Sequence, residues 1–439
     1  MRASKTGNGL DAERGRIAVV GAGIGGLATA AFLHRSRIPA KVYEQASVLR
    51  EVGAGLIVAP NAARLLRRLT GATRLEDTGV PLETGWEFRR WADGHVLFAQ
   101  QLGEICVRRY GEHTWTMHRA DLLDVLISGV PPTAIELGRQ CTGVTQDSDG
   151  VTLMFADGES ARADAVIAAD GIHSTLRGHV TAASTPRPSG LCAWRSLVPA
   201  DAVPDFARRP VQTLWLGHRH HLVHYPVRSS ELVNVVAFSP ALPGQVEESW
   251  SAAGRPEDFA AEFAGWDRRM GALIDAATQV GRWSVLDRAP LRRFVSGRIA
   301  LLGDAAHPML PFFAQGAGQA IEDAAALATF LAGGSETVPE ALLRYERLRL
   351  PRASRVQEAS HGRTAHHHLP DGPEQRARDA AFAAEDPLSH NDWIYAYDAE
   401  HEAATAGRRD PVRRSSTRQS AATMPSSSSS GFDRSIGSA

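Results

Sequence analysis

Two short apolar runs, far apart in the chain and each ending on a glycine corner, constrain this sequence more than anything else in it. The first is Ile17–Val20, followed at once by Gly21-x-Gly23-x-x-Gly26 and a helical pattern over Ile24–Arg35. Lys41-Val42-Tyr43-Glu44 then reads as a second strand, so a βαβ unit is predicted. Gly21 permits a tight turn, Gly23 lets a backbone approach a pyrophosphate, and Gly26 lets helix and strand pack closely. Free N–H groups at the helix start suit phosphate oxygens. Glu44, 18 residues beyond Gly26, stands where a carboxylate accepts hydrogen bonds from a ribose diol. A glycine-rich turn without a ligand is the competing reading, and strand, glycines and acid together outweigh it. The second run, Ile299–Leu302, leads into Gly303-Asp304-Ala305-Ala306-His307-Pro308, about 280 residues after the first corner. The chain is thus expected to return to the same dinucleotide with another acid and another helix N-terminus. The dinucleotide is then a long one, and FAD fits better than NAD.

The 439 residues, 43% hydrophobic and 22% charged, allow two or three domains. A net charge of -1 argues for neither a nucleic-acid nor a membrane-surface partner, and the longest apolar runs have strand length, far short of a bilayer span. Residues 1–16 are polar, so no secretory signal is expected there. Cys106, Cys141 and Cys192 are isolated, which suits a reducing cytoplasm and gives no thiolate metal site. Residues 1–14 and 403–439, the latter with paired arginines and a serine tract, are expected to be disordered tails.

Between the tails the texture is α/β. A Rossmann-like FAD-binding domain, discontinuous and three-layered, is expected from residues 15–75, 115–183 and 290–335. It is interrupted by a substrate domain of sheet plus helix from 76–114 and 184–289, and followed by C-terminal helices over 336–402. Helices are predicted over Asn61–Leu69, Ala120–Ser128, Gln315–Leu331 and Pro339–His361. Asp149-Gly150 and Asp157-Gly158 mark hairpin turns. A third motif, Asp170-Gly171-Ile172-His173-Ser174-Thr175-Leu176-Arg177, follows the strand Asp164–Ala169. Alone it is equally well a turn with an N-cap at Ser174.

Gly-Ala-Gly-Ile-Gly-Gly, Asp-Gly-Ile-His-Ser-Thr-Leu-Arg and Gly-Asp-Ala-Ala-His-Pro together resemble the FAD-dependent single-component aromatic hydroxylases typified by para-hydroxybenzoate hydroxylase. Residues 303–327 are most similar to the branch of salicylate hydroxylases, 3-hydroxybenzoate 6-hydroxylases and 6-hydroxynicotinate 3-monooxygenases. The similarity covers residues 15–400. It implies that Asp304 binds the ribityl and pyrophosphate region, that Asp170 and Gly171 serve both FAD and a transient NADH or NADPH, and that Arg119 contacts the flavin. Pro308, Gly316 and Ala317 would lie beside the isoalloxazine ring, Gly55 near it, and Arg50 near a phosphate. Helix N–H groups after Gln315 would stabilise negative charge on reduced flavin.

The implied reaction uses NAD(P)H and O2 to hydroxylate a small phenolic acid through a flavin C4a-hydroperoxide. That oxygen is electrophilic, so a base removing the phenol proton helps. Residues 219–225 offer such groups: on a strand His220, Leu222 and His224 share one face, and His221, Val223 and Tyr225 the other. The resemblance favours His220 and His224 as catalytic, with Tyr225 as a competing phenol-binding group; partly exposed sheet histidines are the plainer reading. Phe312-Phe313 suggests an apolar, benzenoid pocket in preference to a hydroxynicotinate one. His307 reads as structural, and His366-His367-His368, without metal-ligand spacing, as a solvated segment. Two alternatives remain at this stage: a tailoring hydroxylase of an amino-substituted or larger aromatic, and a flavin-binding redox sensor. A monomer or a homodimer is expected.

Overall fold

The glycine corner after Ile17–Val20 lies at the carboxyl end of a six-stranded sheet whose inner strands are buried on both faces. The computed structural model describes residues 16–49, 53–71, 73–241, 253–333, 337–384 and 386–409. Strand order in this sheet is Val295–Ser296, Ile299–Leu301, Ala165–Ala168, Ile17–Val20, Ala40–Tyr43 and Ile135–Glu136, parallel throughout except at the first pair. Near-continuous Val, Ile, Leu and Ala in these strands is what a sheet covered on both faces requires. The helices Ile24–Arg35 and Gly316–Ala332 pack together in its core. A meander of Cys141–Gln146, Val151–Phe155 and Ser160–Ala163 adds a further layer, with Phe155 against Tyr43 at 4.9 Å between ring centroids. This is a Rossmann-like α/β architecture.

The second sheet has eight strands and draws on two separated stretches of sequence. Gly85–Arg90 and Val96–Gln100 join Arg187–Pro199, Val211–Gly217, His220–Val227, Leu232–Pro240, Ala253–Gly254 and Val280–Asp287. All neighbours are antiparallel except Val211–Gly217 with Gly85–Arg90. Pro256–Glu262 and Arg268–Asp275 cover one face through Trp194, Trp215, Leu222, Phe259 and Met270. The other face carries Val223, Tyr225 and Phe238 toward the nucleotide-binding side.

The long helix Val338–His367 opens on a capping box between Thr337 and Glu340 and runs past the expected end at His361 to reach the substrate sheet. Pro373–Ala384 and Pro387–Tyr395 follow, Phe382 packing on Phe88. The expected disorder from residue 403 is corrected at its start. Ala399–Arg409 is helical and Ala403 is 1% exposed in the nucleotide-domain core, because small alanines let this helix close on Gly316–Ala332 while Arg68 pairs with Asp398 and Glu400. The N-terminal tail and residues 410–439 lie outside the described residues, as does Arg50. Among the described residues, no helix is long and apolar enough to cross a membrane.

Candidate active site

Steric demands explain the first glycines. A Cβ on Gly21 would stand 2.5 Å from the Ala169 carbonyl oxygen, and one on Gly26 would stand 1.9 Å from that of Gly21. Among the described residues, a Cβ on Gly23 meets nothing within 4 Å, so this glycine opens toward the cavities. The Ala22 N–H donates to Glu44 Oε2 at 2.7 Å, which fixes the carboxylate at the end of the second strand. Asp170 accepts from the Leu176 N–H at 3.3 Å, yet its Oδ1 is buried with no partner among the described residues. Burial raises its pKa, partly offset by Ser174 and nearby N–H groups. Arg177, buried, donates Nη1–H to the carbonyls of Ala305 (2.7 Å) and Ala306 (3.2 Å), tying the second motif to the third.

Two cavities, of about 420 and 380 Å³, meet along Gly23, Ala169, Gly171 and His173. The smaller is walled by Gly21, Tyr43, Glu44, Arg139 and Asp170. The larger is walled by Gly55, Arg119, Asp304 and Pro308, and by Gly316 and Ala317 at the unsealed start of Gly316–Ala332, whose N-cap Gln315 makes no side-chain cap. A bent slot with a glycine at its elbow, a diol-seeking acid at one end and free helix N–H groups at the other suits FAD. The orphaned Oδ1 of Asp170 at the junction supports the same fit. Asp304 is exposed along the cavity, yet the atoms packed around its carboxylate raise its pKa, with His307 and Arg119 opposing. Gly55 is required by close approach: a Cβ would meet the Asn234 side chain at 2.5 Å, and its N–H donates to Asn234 Oδ1 at 2.8 Å.

Beneath the helix start lies a buried ionic network. His307 Nε2 is 2.6 Å from Asp323 Oδ2, Arg349 donates to Asp323 (2.7 Å) and Glu322 (2.6 Å), and Arg352 also donates to Glu322. His307 is therefore turned away from the cavity, bracing the corner it belongs to.

The substrate sheet completes the larger cavity, and here the choice of histidines is corrected. His220 contacts Glu262 at 2.7 Å and His224 accepts from Trp215 Nε1–H at 3.3 Å, both on the helix-covered face with Leu222. His221 and Tyr225, with Val223 between them, line the cavity. Strand alternation separates the two sets, and a histidine on each face left the sequence without a sign for which face turns inward. His221, 1% exposed, stacks on Phe238 at 4.6 Å and meets Phe312 edge-on at 5.1 Å. Burial first, and His368 next, hold it neutral, well below the usual imidazole range. Burial pushes the Tyr225 phenol up, which Arg195 opposes.

Sequence reasoning missed three groups. Arg195 lines the cavity 4.8 Å from the Trp283 ring, its pKa lowered to about 10 chiefly by burial. Its only signal was a charge inside the apolar run Leu191–Val198. His367 is buried on the cavity wall and His368 is half-buried beside it, so of the triplet only His366 is solvated as expected; the helix end inserts His367 between Phe88 and Phe312.

A family described as "FAD binding domain" matches residues 14–360. A 3-amino-4-hydroxybenzoate 2-monooxygenase of Streptomyces platensis is 45% identical over 387 residues, 88% of this chain and 97% of its own length. A 6-hydroxynicotinate 3-monooxygenase of Bordetella bronchiseptica is 36% identical, over 90% of this chain and 98% of the relative. A solved salicylate hydroxylase substrate complex superposes with a TM-score of 0.77 at 30% identity, covering 90% of this chain and 98% of the other.

Proposed function

This chain belongs to the FAD binding domain family, as an FAD-dependent aromatic-ring monooxygenase, and from that premise we propose that its substrate is a small hydroxybenzoic acid and its reductant NADH or NADPH. The observation that carries the substrate class is Arg195, a guanidinium on the substrate-sheet wall of the cavity, beside the Trp283 ring and with Tyr225 nearby. A desolvated guanidinium selects a carboxylate by paired, charge-assisted hydrogen bonds. Trp86, Phe88, Phe238 and Phe312 supply flat apolar surface for one benzene ring. His221, held neutral, accepts the proton of the ring hydroxyl at Nε2, its Nδ1 being engaged by His368. The Tyr225 hydroxyl, held protonated, orients that oxygen. Bound FAD, once reduced, supplies the activation of O2 and the electrophilic oxygen. The aromatic wall excludes water while these groups hold the ring. The three buried cysteines suit a reducing, cytoplasmic setting, which is part of the proposal.

Within that class, an amino-substituted acid is the second reading, supported by the relative 45% identical to this chain. An amino group donates electrons into the ring as a phenolate does and activates the carbon beside it. The test is FAD-loaded enzyme with salicylate, 4-hydroxybenzoate and 3-amino-4-hydroxybenzoate, following NAD(P)H oxidation and product together. One of these acids should accelerate NAD(P)H oxidation with matching hydroxylated product, and the ratio of kcat/KM values separates the two readings. Equal stimulation by phenols lacking a carboxylate would remove the role given to Arg195 and with it the substrate class.

A further inference from the structure

His221 does not end at the cavity wall. Its Nδ1 lies 2.7 Å from Nε2 of His368, which caps the helix Val338–His367 and is half-buried against the turn that joins Val211–Gly217 to His220–Val227. The cap is held from both sides: the His368 N–H donates to the Thr364 carbonyl at 3.2 Å, and the His368 carbonyl accepts from the Arg219 N–H at 3.2 Å. Phe238 and Phe312 clamp the His221 ring. Two imidazoles thus stand in line, one opening on the cavity and the other on the surface. Beside His221, Phe238 and Phe312 offer no group that could take a proton onward, whereas His368 does.

We propose that His368 is the second member of a two-imidazole path that carries the proton of the substrate hydroxyl from His221 to solvent. The proposal rests on the functional reading above. The substrate O–H bond breaks as an N–H bond forms at His221 Nε2. The proton on His221 Nδ1 passes to His368 Nε2, and His368 releases the proton on Nδ1 to water. No electrons move, each ring ends as its other tautomer, and the reverse sequence resets both when the product hydroxyl is reprotonated. Neutral rings are required, since each must offer one acceptor and one donor. Burial keeps both neutral, His368 at about 4. The titratable and charged groups around the pair are His218 and His220 with its partner Glu262 on the sheet side, and Arg363, His366 and His367 on the helix side.

The experiment mixes oxidised, FAD-loaded enzyme with 4-hydroxybenzoate, and separately with 3-amino-4-hydroxybenzoate, in weak buffer with a pH indicator under stopped flow. The wild type should release about one proton per bound ligand. H368F and the more conservative H368Q should bind the same acid with Kd within about twofold, release the proton at least about tenfold more slowly, and lose kcat by a similar factor with KM unchanged. Added imidazole should restore the rate in both, an effect that a merely structural His368 would not give. Wild-type release rates in the variants, a kcat loss that imidazole does not mend, or binding to wild type without proton release would each overturn the path and leave the functional reading standing. Failure of the wild type to bind either acid, and salicylate as well, would overturn the functional reading itself, and the path with it.

Discussion

Arg177 reaches across 128 residues of sequence to place its guanidinium 2.7 Å from the carbonyl oxygen of Ala305. One side chain of the Asp170 motif therefore holds the backbone of the Gly303-Asp304 corner. Burial, with Arg288 nearby, lowers the Arg177 pKa to about 10, and its value to the fold lies in satisfying two carbonyls that helix geometry leaves without partners. R177M is expected to destabilise by about 1–3 kcal/mol and to weaken FAD retention. Thermal melts with and without added FAD check this; the loss should be larger without it.

Arg195 is predicted to govern carboxylate affinity. R195M should raise KM for the preferred acid roughly 100-fold, about 2.7 kcal/mol, and the amide analogue of that acid should then bind as well as the acid. An unchanged preference for the acid in steady-state kinetics would assign the carboxylate to another group.

The buried ionic network should be costly to break from one side. R349M removes a guanidinium shared by Glu322 and Asp323, leaving Glu322 to Arg352, Asn61 and Gln319, and Asp323 to His307 and the Gly303 N–H. A loss of about 3 kcal/mol is expected, read from the urea midpoint. Replacement costing under 1 kcal/mol would mean that the remaining partners suffice.

The buried histidines set an acid limit. His224 is lowered to about 3, mainly by burial and then by Arg89 and Arg209, and His221 and His367 are lowered well below the usual range for the same leading reason. Unfolding returns each to its ordinary value of about 6.5, so the unfolded chain binds protons that the folded chain refuses. Stability is therefore complete above pH 6.5 and falls as pH drops below it, by up to about 1.4 kcal/mol per unit for each such group. Urea midpoints at pH 7.5 and 5.5 should differ in that direction, and H224Q should flatten the slope by about one proton. An unchanged midpoint would refute the account.

The glycine corners and the Asp170–Arg177 turn were legible because each obeys a local rule of sterics or backbone angle that neighbouring residues alone decide. The orientation of His220–Val227 was not. Helices cover one face and the cavity wall the other, so almost every residue of the strand is buried and polarity does not alternate. Arg195 has no local pattern, and His368 acquires its meaning from a partner 147 residues away. Ala399–Arg409 was misjudged from its first buried turn because composition reports cost of ordering but not the helix waiting to receive it.

The larger cavity takes its wall from positions as distant as Gly23 and Tyr395, with the two sheets and the C-terminal helices each supplying part. Its specificity is consequently not inherited in any one block of the gene. Recombining contiguous segments with a relative would separate both Arg195 from Phe312 and His221 from His368 at every crossover between residues 221 and 312, so a new aromatic preference is reached more readily by dispersed point changes than by exchange of a cassette.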